Sequence, residues 1–368
     1  MHKHYITICV VRLFYLIIYA KENYNTLIKD RQHVDYQEVE AKIRKIQNGE
    51  KRKQARFGFL CNNCVVKYKK ANDKTIEALE ERQLYVSTAL GYNDPYDSLM
   101  YINIPILKAS IASQIDYYML SYLDDMPDKT APLYRIANAL YNQDEVLKQQ
   151  RMDLFLSDVK RDAELAIKHI HDNVPGICFS KDPLSTLMWA HYAEDHTGFA
   201  LLYDIQELES ATCISETGEV LRYHNKLYDV EYSNLRPDGT GFVENYILFS
   251  RIKENSSIPR SFYGTNPITY PNHYKYSQSE LRRIILTKSE AWSYEKEARL
   301  LFRPITPDFE FKRFNLRISP RGIILGAKMD SLMKQRITEI AKKLGCTLYE
   351  AWINNAARDY NVAIQEVV

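Results

Sequence analysis

Residues 321–353 have the sequence "RGIILGAKMDSLMKQRITEIAKKLGCTLYEAWI". The run "RGIILGAKM" is continuously apolar, as is typical of a buried strand, and "CTLYEAWI" is a second such run. Between them, "DSLMKQRITEIAKKLG" has the apolar spacing of an amphipathic helix that ends at Gly345. A helix between two buried strands predicts a β-α-β unit with parallel strands and a right-handed crossover.

Further strand and helix patterns occur upstream of this unit. The segment "CVVKYKK" (64–70) predicts a strand, and "NDKTIEALEERQLYVSTA" (72–89) predicts a helix followed by a strand. The segment "PGICFSKDPLSTLMWAHYAEDHTGFALLYDI" (175–205) predicts a strand, a helix capped by Ser185 and another strand. Strands of this kind, mixed with helices, indicate one large sheet with helices packed against it.

The chain divides into an appendage and a main domain. Residues 1–60 are first apolar and then basic and helix-compatible, so we expect an appendage there. Residues 61–368 form the expected main domain, with a helical insertion at about 106–172. The predicted class is α+β (mixed α/β), with a central mixed sheet and the C-terminal β-α-β unit.

Overall composition points to an ordinary globular protein. Hydrophobic residues make up 45% of the chain, charged residues 26%, and the formal charge is only +2. No global positive field therefore favours a nucleic-acid partner. The local cluster of Lys and Arg within residues 42–56 is consistent with a solvated helix face, or with contacts to a nucleic-acid backbone.

The cysteines and the apolar N-terminal stretch bear on location. The six cysteines include "CNNC" (61–64), but no second pair completes a four-ligand zinc site, so we predict no metal and a cytoplasmic protein with reduced thiols. Residues 5–20 are apolar except for Arg12, and a charge in mid-bilayer is unfavourable. We therefore expect no stable membrane span, with membrane association through residues 5–20 as the alternative.

The segment "MWAHYAEDHTGFALLYD" (188–204) combines histidines, tyrosines and acids around a Thr-Gly pair. His191 and His196 are five residues apart, about 140° around a helix, so they do not share a metal ion. We expect Gly198 to end the helix in a left-handed conformation. Trp189 is expected in the core, and His191 closer to a cleft.

Two groups of acids are candidates for chemistry. Asp94, followed by Pro95 and Asp97, matches the first turn of a helix. The segment "EAWSYEKEARLLFRP" (290–304) predicts a strand from about Ser293. A strand would place Glu295, Glu297 and Arg299 on one face, either around a site or as a solvated ion-pair ladder. The chain has no glycine-rich phosphate loop and no HExxH or GxSxG motif.

Four segments together resemble a bacterial family known as domain of unknown function 2971 (DUF2971). They are "VKYKKANDKTIEALEERQLYVSTALGYNDPYD" (66–97), "ICFSKDPLSTLMWAHYAEDHTGFALLYD" (177–204), "WSYEKEARLLF" (292–302) and "RGIILGAKM" (321–329). The resemblance extends from about residue 65 to 355 and excludes residues 1–60.

The layout of these segments is also similar to ADP-ribosyltransferase-like folds. That similarity implies NAD as cofactor and a late glutamate that stabilises the positive charge formed as nicotinamide leaves. Its opening motif should offer His or Arg, whereas this chain has Lys67 and Tyr68 there. The implied catalytic residues are Glu297, Glu295, Ser180 and His191. The implied NAD contacts are Lys67, Tyr68, Phe179, Tyr192 and Asn93.

The functional expectation is an NAD-dependent ADP-ribosyltransferase-like enzyme that acts on a macromolecule, in phage defence or as a toxin. A metal-dependent nuclease using Asp94, Asp97 and Glu297 is one alternative. A non-enzymatic module that binds or senses a nucleotide or a macromolecule is the other. Because fold resemblance does not determine chemistry, the geometry of the site has to decide among them.

Overall fold

A nine-stranded mixed sheet lies at the centre of the protein. The computed structural model describes residues 35–120, 145–244, 246–247, 280, 282–304, 313–355 and 358–367. The predicted α+β class with a central mixed sheet is confirmed.

Fifteen strands are present in the described residues. They are β1 (Cys64–Lys69), β2 (Gln83–Tyr85), β3 (Ser87–Thr88), β4 (Pro175–Ser180), β5 (Phe199–Asp204), β6 (Thr212–Ser215), β7 (Val220–Leu221), β8 (Tyr223–Asp229), β9 (Glu231–Ser233), β10 (Thr287–Ser289), β11 (Glu297–Pro304), β12 (Phe314–Arg317), β13 (Gly322–Leu325), β14 (Thr347–Trp352) and β15 (Ala363–Glu366). The large sheet has the order β15-β14-β13-β5-β1-β4-β11-β8, with β3 paired to β4. A four-stranded sheet has the order β2-β12-β6-β7, and β9 pairs with β10.

Nine α-helices have defined bounds in the described residues. They are α1 (Tyr36–Arg44), α2 (Gly49–Asn63), α3 (Asp73–Glu80), α4 (Ile104–Leu120), α5 (Glu145–Ser157), α6 (Val159–Asn173), α7 (Thr186–Tyr192), α8 (Ile205–Ser210) and α9 (Ser331–Leu344). Two 3-10 helices, Ala89–Gly91 and Glu290–Glu295, lie in the loops.

The C-terminal β-α-β unit is present as predicted. Strands β13 and β14 are parallel, and α9 connects them. The Asp330 side chain accepts a hydrogen bond from the N–H of Met333, and Gly345 ends α9 at φ 72°. Strand β13 ends at Leu325, before the end of the apolar run that predicted it, and the N–H of Gly326 donates to the carbonyl of Gly198 in continuation of the pairing with β5.

Hydrophobic clusters cover both faces of the large sheet. On one face, Ile76 of α3 and Ile337 of α9 pack with the side chains of β5 and β13 and with the inner face of the four-stranded sheet. On the other face, Leu60 of α2 and Trp189 of α7 pack against β1 and β14. The sheet therefore separates two cores, and neighbouring residues on one strand belong to different cores.

The described part of the expected appendage packs on the sheet. Ile43 and Leu60 are buried, and Phe57 contacts Tyr349 of β14. The apolar stretch 5–20 lies outside the described residues. Among the helices that the structure describes, none combines the length and apolarity needed to cross a bilayer.

The described part of the expected insertion, residues 106–172, is helical. Helices α4 and α6 form a third apolar cluster in which Leu107 and Ile170 pack with Phe242 and Ile284. This cluster lies beside the large sheet, where Leu301 of β11 packs against it.

Gly198 has a role different from the predicted one. Helix α7 ends at Tyr192, and the left-handed residues are Glu194, Asp195 and His196, not Gly198. A Cβ on Gly198 would lie 2.2 Å from the carbonyl oxygen of Lys69. Glycine is required here because two backbones approach each other closely.

Gly326 also packs closely against the backbone of residues 196–198. A Cβ on Gly326 would lie 2.2 Å from the carbonyl oxygen of His196 and 2.5 Å from that of Gly198. Neither atom belongs to a flexible side chain, so the backbone itself would have to shift.

We expect Gly326→Ala to lower the free energy of unfolding by roughly 1–3 kcal/mol, because an added carbon overpacks the contact between β13 and the Glu194–His196 loop. Gly58→Ala is the matched control, since nothing lies within 4 Å of a Cβ at this position in α2. The control should stabilise the protein by roughly 0.5–1 kcal/mol through helix propensity. Urea unfolding of the three proteins measures both effects, and equal midpoints for Gly326→Ala and the wild type would contradict the packing argument.

Candidate functional site

Three adjacent strands bring the candidate residues together. Strand β4 lies between β1 and β11, and Ser180 is opposite both Val66 and Glu297. Directly opposite side chains in an antiparallel pair project from the same face. Ser180 and Glu297, which are far apart in sequence, are therefore neighbours at one end of the sheet.

The strand containing Glu297 starts later than predicted. Residues 290–295 form a 3-10 helix, Lys296 is left-handed at φ 44°, and β11 begins at Glu297. Glu295 is thus not on the strand, and the expectation of one strand face carrying both glutamates is wrong. The left-handed turn at Lys296 nevertheless brings both carboxylates to the same cation.

Arg299 is the most buried charged side chain in this region, with 0% exposure. Its Nη1 and Nη2 bond both oxygens of Asp97 at 2.8 and 2.6 Å. Its Nε bonds Glu297 Oε1 at 2.7 Å, and Nη1 also bonds the carbonyl oxygen of Ile285 at 2.5 Å. The guanidinium therefore forms a fork–fork pair with one acid and bridges to the other.

Lys288 of β10 supplies the second buried cation. Its Nζ bonds Glu295 Oε2 at 2.6 Å and Glu297 Oε2 at 3.0 Å, and lies 3.9 Å from an oxygen of Asp97. The same ammonium lies 4.9 Å from the centre of the Trp292 ring. We call Asp97, Lys288, Glu295, Glu297 and Arg299 the ionic cluster. All five residues are buried, so a solvated ion-pair ladder is excluded.

The ionic cluster contains three carboxylates and two cations, which gives a formal charge of −1. Burial alone would raise the pKa of Glu297, but the charges of Arg299 and Lys288 lower it to about 2. Burial raises the pKa of Glu295 above its usual value, and the Lys288 charge offsets this only in part. Glu297 is thus ionised at neutral pH, and the pKa values of the two glutamates are shifted in opposite directions.

The environment of Asp97 differs from the prediction. Residues 95–98 form a turn and not the first turn of a helix. Asp94 Oδ1 accepts a hydrogen bond from the N–H of Tyr96, which stabilises the turn locally. Asp97 does not complement a helix dipole, because its two oxygens are held by Arg299.

Glu295 is the link between the ionic cluster and the surface. The Tyr192 hydroxyl donates to Glu295 Oε1 at 2.5 Å, and the Asn93 side-chain amide donates to the Tyr192 hydroxyl at 2.7 Å. Asn93 is exposed and Tyr192 is half-buried, so the chain of bonds leads from solvent to the buried acids. These two hydrogen bonds connect Asn93 and Tyr192, which are predicted ligand contacts, to Glu295, which is a predicted catalytic acid.

Aromatic side chains lie near the outer end of this series of hydrogen bonds. His191 is exposed, and its ring centroid lies 6.0 Å from that of Tyr294. Tyr294 is also 6.1 Å from Trp292, the residue over Lys288. The predicted place of His191 near a cleft stays a prediction, while Trp189 is fully buried, as expected.

The Ser180 hydroxyl bonds backbone groups next to the ionic cluster. Its Oγ donates to the carbonyl oxygen of Glu295 at 2.6 Å and accepts from the N–H of Asp182 at 3.1 Å. The hydroxyl is buried and fully engaged with backbone groups. Its contacts are those of a residue that fixes the position of Glu295, and not those of an exposed nucleophile.

The remaining predicted ligand contacts lie elsewhere. Phe179 packs with Tyr203 in the opposite core, and the Lys67 ammonium lies 5.8 Å from the Phe179 ring centre and bonds the carbonyl of Cys178. Tyr68 is on the face of Ser180, but it packs edge-on against Trp189 and donates to the carbonyl of Asp182. Phe179 does not lie at the acids. Burial lowers the pKa of Lys67, and the charges of Glu297 and Glu295 offset part of this, so Lys67 interacts with the acids without a hydrogen bond to them.

Sequence reasoning did not identify Lys288 or Tyr232. The Tyr232 hydroxyl accepts the N–H of Glu297 at 2.7 Å, and Lys288 lies in "TKS", a short polar run without a motif. Strands β9 and β10, which carry the two residues, pair with each other in a small separate sheet. Lys288 lies seven and nine residues before Glu295 and Glu297, and the three side chains meet across the 3-10 helix Glu290–Glu295.

We expect Arg299→Met to lower the free energy of unfolding by roughly 3–5 kcal/mol, since it leaves Asp97 and Glu297 buried next to an apolar side chain. Lys42→Met is the control, because the Lys42–Glu38 pair is exposed and such pairs contribute little. Guanidinium unfolding followed by circular dichroism measures both. A loss for Arg299→Met no larger than that of the control would show that the cluster does not stabilise the fold.

The lowered pKa of Glu297 makes a prediction for acid. Its folded-state pKa is about 2 against a usual value of 4.5, so its ionised form stabilises the fold above pH 4.5. That stabilising contribution declines as the pH falls from about 4.5 to about 2. Glu297→Gln should therefore be less stable than the wild type at pH 7 and lose less further stability between about pH 4.5 and 2. Urea unfolding at several pH values tests this, and parallel acid dependence in both proteins would count against it.

Comparison with known proteins covers the central part of this site. The profile of a family described as "Protein of unknown function (DUF2971)" matches residues 188–300. The match includes most of α7, all of β10 and four members of the ionic cluster, while Asp97 lies outside it. Neither curated proteins nor solved structures give a match to the chain, so the similarity to ADP-ribosyltransferase-like folds stays a prediction. Over residues 188–300, the chain is similar to the DUF2971 family.

Proposed function

We propose that the protein is an NAD-dependent ADP-ribosyltransferase-like enzyme that modifies a macromolecule, with Glu295 as the carboxylate that meets the substrate. One observation carries the proposal: Glu295 joins a buried ionic cluster to the half-buried Tyr192, next to the aromatic rings of His191 and Tyr294. Phage defence or toxin activity is the biological setting that we predict for it.

The two glutamates have different environments, which supports a division of roles. Glu297 is held by Arg299 and Lys288, and its accessible surface is nearly zero, so it serves as a fixed anion that positions the cations. Glu295 also binds Lys288 through one carboxylate oxygen, but its other oxygen accepts a hydrogen bond from the hydroxyl of Tyr192 near the surface. A change in the Tyr192 rotamer would free that oxygen for a ligand.

The chemistry of such a transfer requires a fixed negative charge. As nicotinamide leaves, positive charge develops on the ribose, and a preorganised carboxylate stabilises it. In that reaction NAD supplies the ADP-ribosyl group to a nucleophile on the acceptor. Glu295 is preorganised by Lys288 on one oxygen and by the Ser180 bond to its own carbonyl.

The residues on the surface near Glu295 could contact the ring and the pyrophosphate of NAD. Tyr192, Tyr294 and Trp292 offer faces for an aromatic ring. Lys181 and Lys296 lie next to the site on the surface, paired with Asp229 and Asp182. Exposed pairs of this kind are weak, so a pyrophosphate can replace the carboxylate partners.

The nuclease alternative has less support. Asp97, Glu295 and Glu297 do converge, but the Lys288 ammonium lies between them and Arg299 takes both oxygens of Asp97. Asp94 bonds its own turn. Among the described residues, no group of three or more His, Cys, Asp or Glu side chains is arranged to hold a metal ion.

A cytoplasmic location is part of the proposal. The five cysteines in the described residues are free thiols, as is typical of proteins from reducing compartments. Burial raises the pKa of Cys61 to about 11 and that of Cys178 to about 12, so these thiols are unreactive at neutral pH.

Purified protein incubated with NAD should release nicotinamide, measured by chromatography. We expect Glu295→Gln to reduce the rate about 10²–10³-fold, the loss typical of one preorganised electrostatic group. Glu290→Gln is the matched control, because Glu290 is an exposed acid of the same 3-10 helix.

Two results would speak against the enzyme. If NAD shifts the melting temperature without nicotinamide release, even with cell extract as a source of acceptor, the protein is a binding module. Without a shift or release, NAD is not its ligand, and the proposal fails.

A further inference from the structure

A second site lies on the outward face of the four-stranded sheet. An open cleft of about 1250 Å³ runs along this face, bounded by the 3-10 helix Ala89–Gly91 and the end of α6. The cleft lies beside β3, which pairs with Gly176 and Pro175 at the first end of β4, whereas Ser180 is at the other end of that strand. It is therefore separate from the ionic cluster.

Side chains alternate across this sheet. Leu84 of β2 and Leu316 of β12 point inward and are fully buried. Their neighbours Gln83, Tyr85 and Asn315 point outward, as does Arg317, and all four line the cleft. Tyr85 lies opposite Asn315, and Gln83 lies opposite Arg317. The outward face thus presents one aromatic ring, two amides and a guanidinium in fixed register.

The aromatic ring is accessible and is close to a cation. Tyr85 is 43% exposed, and the Lys74 ammonium lies 5.5 Å from the ring centre. The side-chain amide of Asn315 donates to Gln83 at 3.0 Å, so the two amides are aligned. Amides of this kind match the donor and acceptor edges of nucleobases, and an exposed tyrosine face is a stacking platform.

The cleft is lined by three cations, Lys74, Arg313 and Arg317, and by three acids, Glu81, Asp172 and Glu216, so its formal charge is zero. Asp172 is paired with Lys168, and phosphates are expected beside the individual cations. The cleft is larger than the usual pocket for one small molecule, which spans about 300–1,000 Å³. An open groove with a stacking ring, amides and flanking cations suits a strand of several nucleotides better than a single one.

We propose that this cleft binds single-stranded nucleic acid, with a base stacked on Tyr85 and phosphates beside Arg317, Arg313 and Lys74. The site differs from the basic segment 42–56, in which Lys42, Arg44, Lys53 and Arg56 are paired with glutamates. It depends on none of the residues assigned to ADP-ribosyl transfer.

Fluorescence anisotropy with labelled twelve-nucleotide single strands of DNA and RNA tests the proposal. Tyr85→Ala should weaken binding about tenfold or more, while Tyr85→Phe keeps the stacking face and stays within about twofold of the wild type. Tyr360→Ala is the matched control, because this tyrosine is 95% exposed and outside the cleft. Arg317→Gln should lower the slope of log K against log[salt] by about 0.7, the value expected for one phosphate contact on a single strand. Arg358→Gln, another exposed arginine, should leave that slope unchanged.

Three results would overturn the proposal. One is equal binding by Tyr85→Ala and the wild type. The second is a duplex that binds as tightly as the single strand, since paired bases cannot stack on the ring. The third is binding of AMP alone, with no added affinity for a strand. Circular dichroism melts of each variant verify that the fold is intact, as expected for substitutions of outward-facing side chains.

Discussion

A guanidinium group without solvent exposure has to obtain all of its solvation from the protein, and Arg299 obtains it from Asp97, Glu297 and the carbonyl of Ile285. Removing a charge from water costs several kcal/mol, so the pairing geometry must be nearly complete for the fold to tolerate it. The bidentate contact with Asp97 and the bridge to Glu297 provide that geometry. Every other feature of the ionic cluster follows from the presence of this cation.

Under the proposed function, the two glutamates have different roles. Glu297 serves as a fixed anion because Arg299 and Lys288 compensate its charge, and Glu295 is the acid that meets the substrate. Lys288 links the two acids, and its own position depends on the pairing of β9 with β10. The buried charges of the site therefore hold one another in place, and Glu295 connects them to Tyr192 and Asn93, which are accessible to solvent.

Patterns with local causes were predictable from the sequence. Apolar runs located β1, β5 and β14, and capping residues located α3, α7 and α9, because strand burial and helix caps depend on nearby residues. The acids were recognised as a group, and Glu295 and Glu297 do share a cation. What failed was geometry set by tertiary contacts: the helix expected after Asp94 is a turn, and the strand expected from Ser293 begins only after the left-handed Lys296. The cleft along Tyr85 depends on a strand pairing over a long sequence separation, which periodicity does not encode. Lys288 meets the glutamates across a 3-10 helix, which the apolar pattern does not predict.

The pairing of Asp97 with Arg299 spans 202 positions of the chain. During synthesis, Asp97 leaves the ribosome long before its partner exists, and a carboxylate without a cation favours water over the interior. The segment around Asp97 thus has reason to stay solvated until β11 has been made, and the closing of this end of the sheet becomes a late event in folding. Chains interrupted before residue 299 would expose the unpaired end of the sheet and be targets for chaperones and proteases.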